Sequence, residues 1–329
     1  MVDRLKGKVA VVTGSGQGVG RAIALAMAGE GARVVTNNRR PGSTGLSIYG
    51  EDFEKKLSEE EKEQARQLGG DAGTVAKEIR DMGGEAVPFF GDVGDFQTAG
   101  KLVQTAVDSF GRIDILVNNA GTFRRGFIWE LSEEAWDYVV TAKLKGSFNC
   151  IRHTAPLMKE QGWGRIINCT SGAWLGNMEH PNYSAANAGV VGLTRSVARE
   201  MYKYGVTCNA YAPLAMTRGV ISLAARTRIM SEAGITIRAE RGTETTAPAA
   251  LETIAGPEGL APFVAYLATE EAGSVSGTVF RVVGNEIAIY ADPEEKYLIK
   301  KDAGLWTVDE LAEAVPAGLL KGYRSIAAD

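Results

Sequence analysis

The segment from Val9 to Thr36 constrains the fold more than any other part of the chain. Val9-Ala-Val-Val12 is a short, apolar, largely β-branched run that reads as a buried strand. Thr13-Gly-Ser-Gly-Gln-Gly-Val-Gly20 follows without a break, and then Arg21-Ala-Ile-Ala-Leu-Ala-Met-Ala28, which reads as a helix. A second strand, Ala32-Arg-Val-Val-Thr36, comes after Gly29-Glu-Gly31. A strand, a turn, a helix and a strand in so short a span make a βαβ unit, because a helical crossover returns the chain to the end from which a parallel partner must start. Glycines in the turn let the backbone approach a pyrophosphate, whose charge meets the amides and positive dipole of the helix N-terminus. A glycine-rich turn alone is a weak signal, and the strand-turn-helix setting strengthens it.

The alternation continues beyond Thr36. Apolar runs at Ala86–Phe90, Ile113–Val117, Arg165–Asn168, Val206–Ala210 and Gly277–Val283 read as strands. Helical patterns occupy Val75–Met82, Gln97–Phe110, Ser132–Glu160, Tyr183–Tyr204 and Leu260–Leu267. This predicts an α/β fold: a doubly wound, Rossmann-type parallel sheet with helices on both faces, in a single domain over residues 1–287. Three stretches depart from that minimum. An insertion of about residues 41–73 holds a charged run, Glu51 to Leu68, expected as an exposed helix. Residues 218–259 form a long irregular connection where α/β folds place substrate loops. Residues 288–329 read as a helical C-terminal extension, with Thr307-Val-Asp-Glu310 at capping-box spacing.

Composition narrows the partners. Of the 329 residues 45% are hydrophobic and 23% charged, which suits a large core. A formal net charge of -4 and a pI near 5.5 argue against nucleic acid or an anionic membrane and leave small molecules or further copies of the chain. Cys150, Cys169 and Cys208 are widely spaced and odd in number, which fits free thiols. His153 and His180 are the only imidazoles, with no ligand-spaced cluster around them, so no metal site is expected. Charges in Met1-Val-Asp-Arg-Leu-Lys-Gly-Lys8, and the lack of an apolar run of about 18 residues, lead us to expect a cytoplasmic protein.

The spacing of Gly14, Gly18 and Gly20 after Thr13 resembles the nucleotide fingerprint of the short-chain dehydrogenase/reductase family. More of that family's pattern follows in order: Gly91-Asp92-Val93, Asn118-Asn119-Ala120-Gly121, Ser171, Tyr183 and Asn209-Ala-Tyr-Ala-Pro213. The resemblance spans about residues 5–285. Lys145-Gly-Ser-Phe148, Asn182-Tyr-Ser-Ala-Ala186 and Ala261-Pro-Phe-Val-Ala265 are similar to the hydroxyacyl-CoA dehydrogenase unit of peroxisomal multifunctional enzymes. The resemblance implies hydride transfer between a nicotinamide cofactor and a secondary alcohol or ketone. It sets Gly14, Ser15, Gln17, Gly18, Val19 and Gly20 at the pyrophosphate and Asp92 and Val93 at the adenine. Asn119, Ala120 and Gly121 would line the cofactor, with Pro213 and Thr217 at the nicotinamide, although Leu214 replaces the glycine that usually follows the proline. The two long helices resemble the family's subunit interface, which implies a homo-tetramer or dimer.

The family's chemistry uses a tyrosine as general acid/base, a hydroxyl that polarises the carbonyl, and a lysine that assists the tyrosine and holds the ribose. A phenol near pKa 10 exchanges protons poorly at neutral pH, so a neighbouring positive charge matters. Tyr183 takes the first role. For the second, counting from the strand selects Ser171, whereas the family's usual spacing back from the tyrosine selects Thr170; we prefer Ser171. The third role departs from the pattern. Four residues after Tyr183, on the same helix face, stands Asn187 where the lysine belongs. On the preceding helix, Lys143-Leu-Lys-Gly146-Ser-Phe148 puts Lys143 where the family carries an asparagine. Either the two positions are exchanged and Lys143 delivers the ammonium, or Asn187 marks lost catalysis in a cofactor-binding but silent subunit or redox-sensing partner.

Cofactor choice is read at the end of the second strand, where members that prefer NAD place an acid against the ribose hydroxyls. Asn38 followed by Arg39 and Arg40 favours NADP(H) over NAD(H), unless the arginines simply open the charged insertion. Arg218, Arg226, Arg228, Arg238 and Arg241 in the long connection either meet phosphates of a CoA-type substrate or are scattered surface charges.

Overall fold

Strand β1 (Val9–Val12) shows why this sheet is covered on both sides. Val9 and Val11 join one buried apolar cluster with Leu102, Met158 and Ile166, while Ala10 and Val12 join another with Ile23, Met27 and Val264. Alternate side chains of a strand point to opposite faces, so a strand apolar at every position is stable only between two layers of helix. β2 (Arg33–Asn38), β4 (Ile115–Asn118) and β5 (Gly164–Cys169) divide in the same way, with Val34 against Val35, Ile115 against Leu116 and Ile166 against Ile167 in opposite clusters.

A computed structural model describes residues 3–42, 55–67, 69–215, 228–229, 255–323 and 325. With β3 (Ala86–Phe90), β6 (Val206–Leu214), β7 (Val279–Val283) and β8 (Glu286–Ile289), the sheet has eight strands in the order β3-β2-β1-β4-β5-β6-β7-β8. The order reverses between β1 and β4, where Ala10, Val11 and Val12 pair in parallel with Ile115, Leu116 and Val117. The crevice beyond the carboxyl ends of strands at such a reversal is where doubly wound sheets bind ligands.

The expected architecture is present, with two local differences. The sheet is not parallel throughout: β8 turns back antiparallel on β7 through Gly284-Asn285, with Gly284 at φ +56. A two-residue hairpin needs that left-handed conformation, so residues assigned to the tail, Ala288 and Ile289, lie in the sheet. The helix expected from Ser132 to Glu160 is α5 (Glu133–Val140), a π-helical turn at Thr141–Lys145, and α6 (Gly146–Gln161). Other α-helices among the described residues of the sheet unit are α1 (Gly18–Gly29), α2 (Glu59–Gln67), α3 (Ala72–Asp81), α4 (Phe96–Phe110), α7 (Pro181–Met201) and α8 (Ala261–Leu267).

The chain forms two compact units, Met1–Ile289 and Tyr290–Asp329. In the second, α9 (Val308–Ala317) starts with a full capping box: Glu310 N–H donates to Thr307 Oγ1 at 3.2 Å and Thr307 N–H to Glu310 Oε2 at 2.8 Å. In the first, His153 is structural, its Nε2 2.9 Å from the Phe96 carbonyl. Among the described residues no helix is long and apolar enough to cross a membrane, and no cluster of metal-ligating side chains occurs.

Candidate active site

The turn after β1 and the end of β4 are bound together before any ligand is considered. Thr13 Oγ1 accepts from the amides of Asn119 and Ala120, both at 3.0 Å. Asn119 Nδ2 donates back to the Thr13 and Gly14 carbonyls at 3.0 and 3.2 Å, and the buried Tyr211 hydroxyl, reaching over from β6, donates to Asn119 Oδ1 at 3.1 Å. Gly14 has φ +63, and a Cβ there would lie 2.9 Å from Ala120 Cα. A Cβ on Gly20 would meet the Gly14 carbonyl and stand 2.5 Å from Asn119 Nδ2. Both glycines are therefore required by close backbone approach. Gly20→Ala is expected to destabilise the fold by about 1–3 kcal/mol through overpacking and to weaken dinucleotide binding; thermal melts and a cofactor titration check both.

The other expected cofactor contacts divide into two groups. Ser15 is buried, and its hydroxyl accepts from the Asn37 amide at 2.8 Å, so it braces β2. Val93 packs in the core, and Asp92 Oδ1 accepts from the Gly94 amide at 2.8 Å. Gln17, Asn38 and Asn187 each carry a buried side-chain oxygen without a hydrogen-bond partner. Such oxygens are costly unless a donor reaches them. All three fall where the sequence places a dinucleotide, along the glycine turn, at the end of β2 and on α7. These acceptors and the glycine cradle fit that group. Pro213 lies in β6, opposite Val282 of β7. Thr217, Arg218, Arg226, Arg238 and Arg241 lie outside the described residues. Arg228 pairs with Glu61 of α2 at 3.0 Å. Partial burial acts to raise the Glu61 carboxyl, but Arg228 and the Ser58 amide outweigh it and hold it below the usual range.

Arg39 meets a different partner from the one the sequence suggests. Its guanidinium carbon lies 5.5 Å from the centroid of the Tyr138 ring on α5, and that of Arg124 lies 4.3 Å from the same centroid. Partial burial would raise the Tyr138 phenol, but the two arginines outweigh it and lower it. Arg39, Tyr138, Asp92 and the acidic Glu133, Glu134 and Asp137 line a cavity of about 550 Å³.

At the reacting end, Asn182 fixes the start of α7. Its Nδ2 donates to the Ala135 carbonyl at 3.0 Å and its Oδ1 accepts from the Tyr183 amide at 2.7 Å. The Tyr183 ring is partly buried, edge-on to Phe123 with centroids 6.2 Å apart. One turn on, Asn187 Nδ2 donates to the Tyr183 carbonyl at 2.8 Å, and the Asn187 carbonyl accepts from Thr170 Oγ1 at 3.1 Å. Thr170 is 1% exposed and its proton is committed. Ser171 is more open, and its oxygen accepts from the Ala173 amide at 3.2 Å, which leaves its own proton available.

Lys143 sits in the π turn, 2% exposed. A Cβ on Gly121 would lie 3.1 Å from its Cδ and 3.4 Å from its Nζ, so the side chain lies along the end of the β4 motif. The next residue, Leu144, packs on α7, where a Cβ on Gly189 would come within 2.6 Å of it. The ammonium has no acceptor among the described residues. Lys143 is thus buried within the fold rather than spread on its surface. π turns inside α-helices are frequent at functional sites.

A doubly wound sheet with a glycine cradle at its switch point defines a dinucleotide-binding α/β protein. The family model described as short chain dehydrogenase matches residues 50–223, and the chain belongs to that family. By family it is an oxidoreductase of the dehydrogenase/reductase type. It is 35% identical over 286 residues to a peroxisomal hydratase-dehydrogenase-epimerase of Neurospora crassa, covering 87% of this chain but 27% of that protein. A short-chain type dehydrogenase/reductase of Mycobacterium tuberculosis is 35% identical over 281 residues, covering 85% of this chain and 83% of the relative. The crystal structure of a short chain dehydrogenase from Mycobacterium avium superposes with TM-score 0.75 at 37% identity, covering 98% of both chains.

Proposed function

We propose that the chain transfers hydride between NAD(H) or NADP(H) and a secondary alcohol/ketone pair such as a hydroxyacyl thioester or a cyclic ketone, with Lys143 and Asn187 sharing the role of the family's single lysine. The observation that carries this reading is the burial of Lys143 against Gly121 without a partner, on the turn that packs against the helix of Tyr183 and Asn187. A lysine that is 2% exposed and whose ammonium meets no acceptor among the described residues is costly to keep, and a site that stabilises developing negative charge is a reason to retain it.

A nicotinamide dinucleotide held along the glycine turn would supply or accept the hydride. Tyr183 gives a proton to the carbonyl oxygen in reduction and takes it back in oxidation, through its phenolic oxygen. Ser171 donates a hydrogen bond to that oxygen. The Lys143 ammonium stabilises the phenolate that forms when the proton leaves, and Asn187 Oδ1, which has no partner among the described residues, would accept from a ribose hydroxyl.

Titration with NADH and NADPH, followed by ketone and acyl-CoA panels in the same cuvette, tests the reading. Oxidation of bound cofactor supports it, and tight binding without turnover on any panel supports the silent subunit instead. Within the active reading, Ser171→Ala is expected to lower kcat by about 10²-fold, the usual cost of removing a donor to a developing oxyanion. Thr170→Val is expected to lower stability and leave kcat nearly unchanged. The reverse pattern, measured by steady-state kinetics and melts, would move the carbonyl-binding role to Thr170.

A further inference from the structure

The insertion after β2 returns to the sheet directly over the glycine turn. A Cβ on Gly70 would lie 2.6 Å from the Gly16 carbonyl oxygen, and a Cβ on Gly16 would lie 2.6 Å from Asp71 Cα while colliding with Asn38 Oδ1. Asp71 and the side chain of Asn38 therefore flank the same point above the turn. Asn38 is 8% exposed, and its Oδ1 has no partner.

The end of β2 is where an acid distinguishes the ribose 2′-hydroxyl from a 2′-phosphate, and Asn38 has no charge with which to do so. We propose that Asp71, brought back by the insertion, supplies the missing carboxylate and makes the chain prefer NAD(H) to NADP(H). This rests on reading the Gly14–Gly20 turn as the dinucleotide site. The carboxylate is held in place: Oδ1 accepts from the Thr74 amide at 2.9 Å and Oδ2 from the Gly42 amide at 3.0 Å. Those hydrogen bonds, the one from Gly42 first, keep the carboxyl below its ordinary range, so it is ionised at neutral pH. A carboxylate beside the turn can accept from a ribose hydroxyl, while a 2′-phosphate would bring two negative charges against it. Asn38, Arg39 and Arg40 taken alone favour the phosphate, but Arg39 is shared with Tyr138 and Asp71 opposes it.

The test is the ratio of dissociation constants for NADH and NADPH, measured by fluorescence titration on the full chain. Wild type is expected to bind NADH more tightly. Asp71→Asn, which keeps the helix cap and removes the charge, is expected to shift the ratio about tenfold toward NADPH, mainly through tighter NADPH binding. Asp71→Ser is expected to do the same, so a folding defect in one variant leaves the other to read. Asp81→Asn, at an exposed carboxylate paired with Lys77, is expected to leave the ratio unchanged. Both dinucleotides binding with an unchanged ratio in the Asp71 variants would overturn the role of Asp71. Binding of neither dinucleotide to wild type would overturn the dinucleotide reading itself, and this proposal with it.

Discussion

Tyr183→Phe is expected to reduce kcat by about 10²–10⁴-fold, the range associated with loss of a general acid/base, while the dissociation constant for the dinucleotide changes little. The substitution is clean because Tyr183 enters the hydrogen bonding of α7 through its backbone alone, accepting from Asn187 Nδ2 at its carbonyl and donating its amide to Asn182. No buried partner is orphaned when the phenolic oxygen is removed, so the melting temperature should remain near that of wild type. Single-turnover kinetics with bound cofactor isolates the chemical step. A variant that retained wild-type turnover would show that protons move through another group.

Lys143→Met is expected to produce opposite changes in two measurements. Most of the Lys143 side chain is out of water and its ammonium meets no acceptor among the described residues, and an apolar side chain of similar shape removes that desolvation cost, so stability should rise, by up to about 1 kcal/mol. Turnover should fall by about 10²-fold, because the positive charge near the developing phenolate is gone. A lysine retained for structure would give loss of both, and a lysine with no role would give higher stability at full activity. Calorimetry and steady-state rates on the same preparation separate the three cases.

The centre of the sheet was readable from sequence because β1, β2 and β4 are short and buried on both faces, a pattern that calls for a layer of helices on each side. The Lys143 and Asn187 positions were also visible, since each stands at a fixed distance from a recognisable residue. Their surroundings were not: the π turn depends on how α5 and α6 meet β4 and α7, which local periodicity does not encode. The hairpin at Gly284-Asn285 carried a readable turn signal, but the strand after it, Glu286–Ile289, is short and exposed at every position, so no buried alternation marks it. Ser15 looked like a ligand contact because it lies in the glycine turn, and its burial against Asn37 depends on how β2 lies beside that turn. Tyr211 and Asp71 left no trace of their roles, because each acts through a contact far along the chain.

The route by which Asp71 reaches the glycine turn also bears on how such sites diversify. The entropy of closing a loop grows only with the logarithm of its length, about 0.6 kcal/mol for each doubling. Lengthening the connection between β2 and α3 is therefore a minor perturbation beside the strand pairing at either end. The sheet can keep its register while the inserted segment samples new residues above a ligand that the strands already position. Recognition can drift in this segment without any change to the residues that carry the reaction.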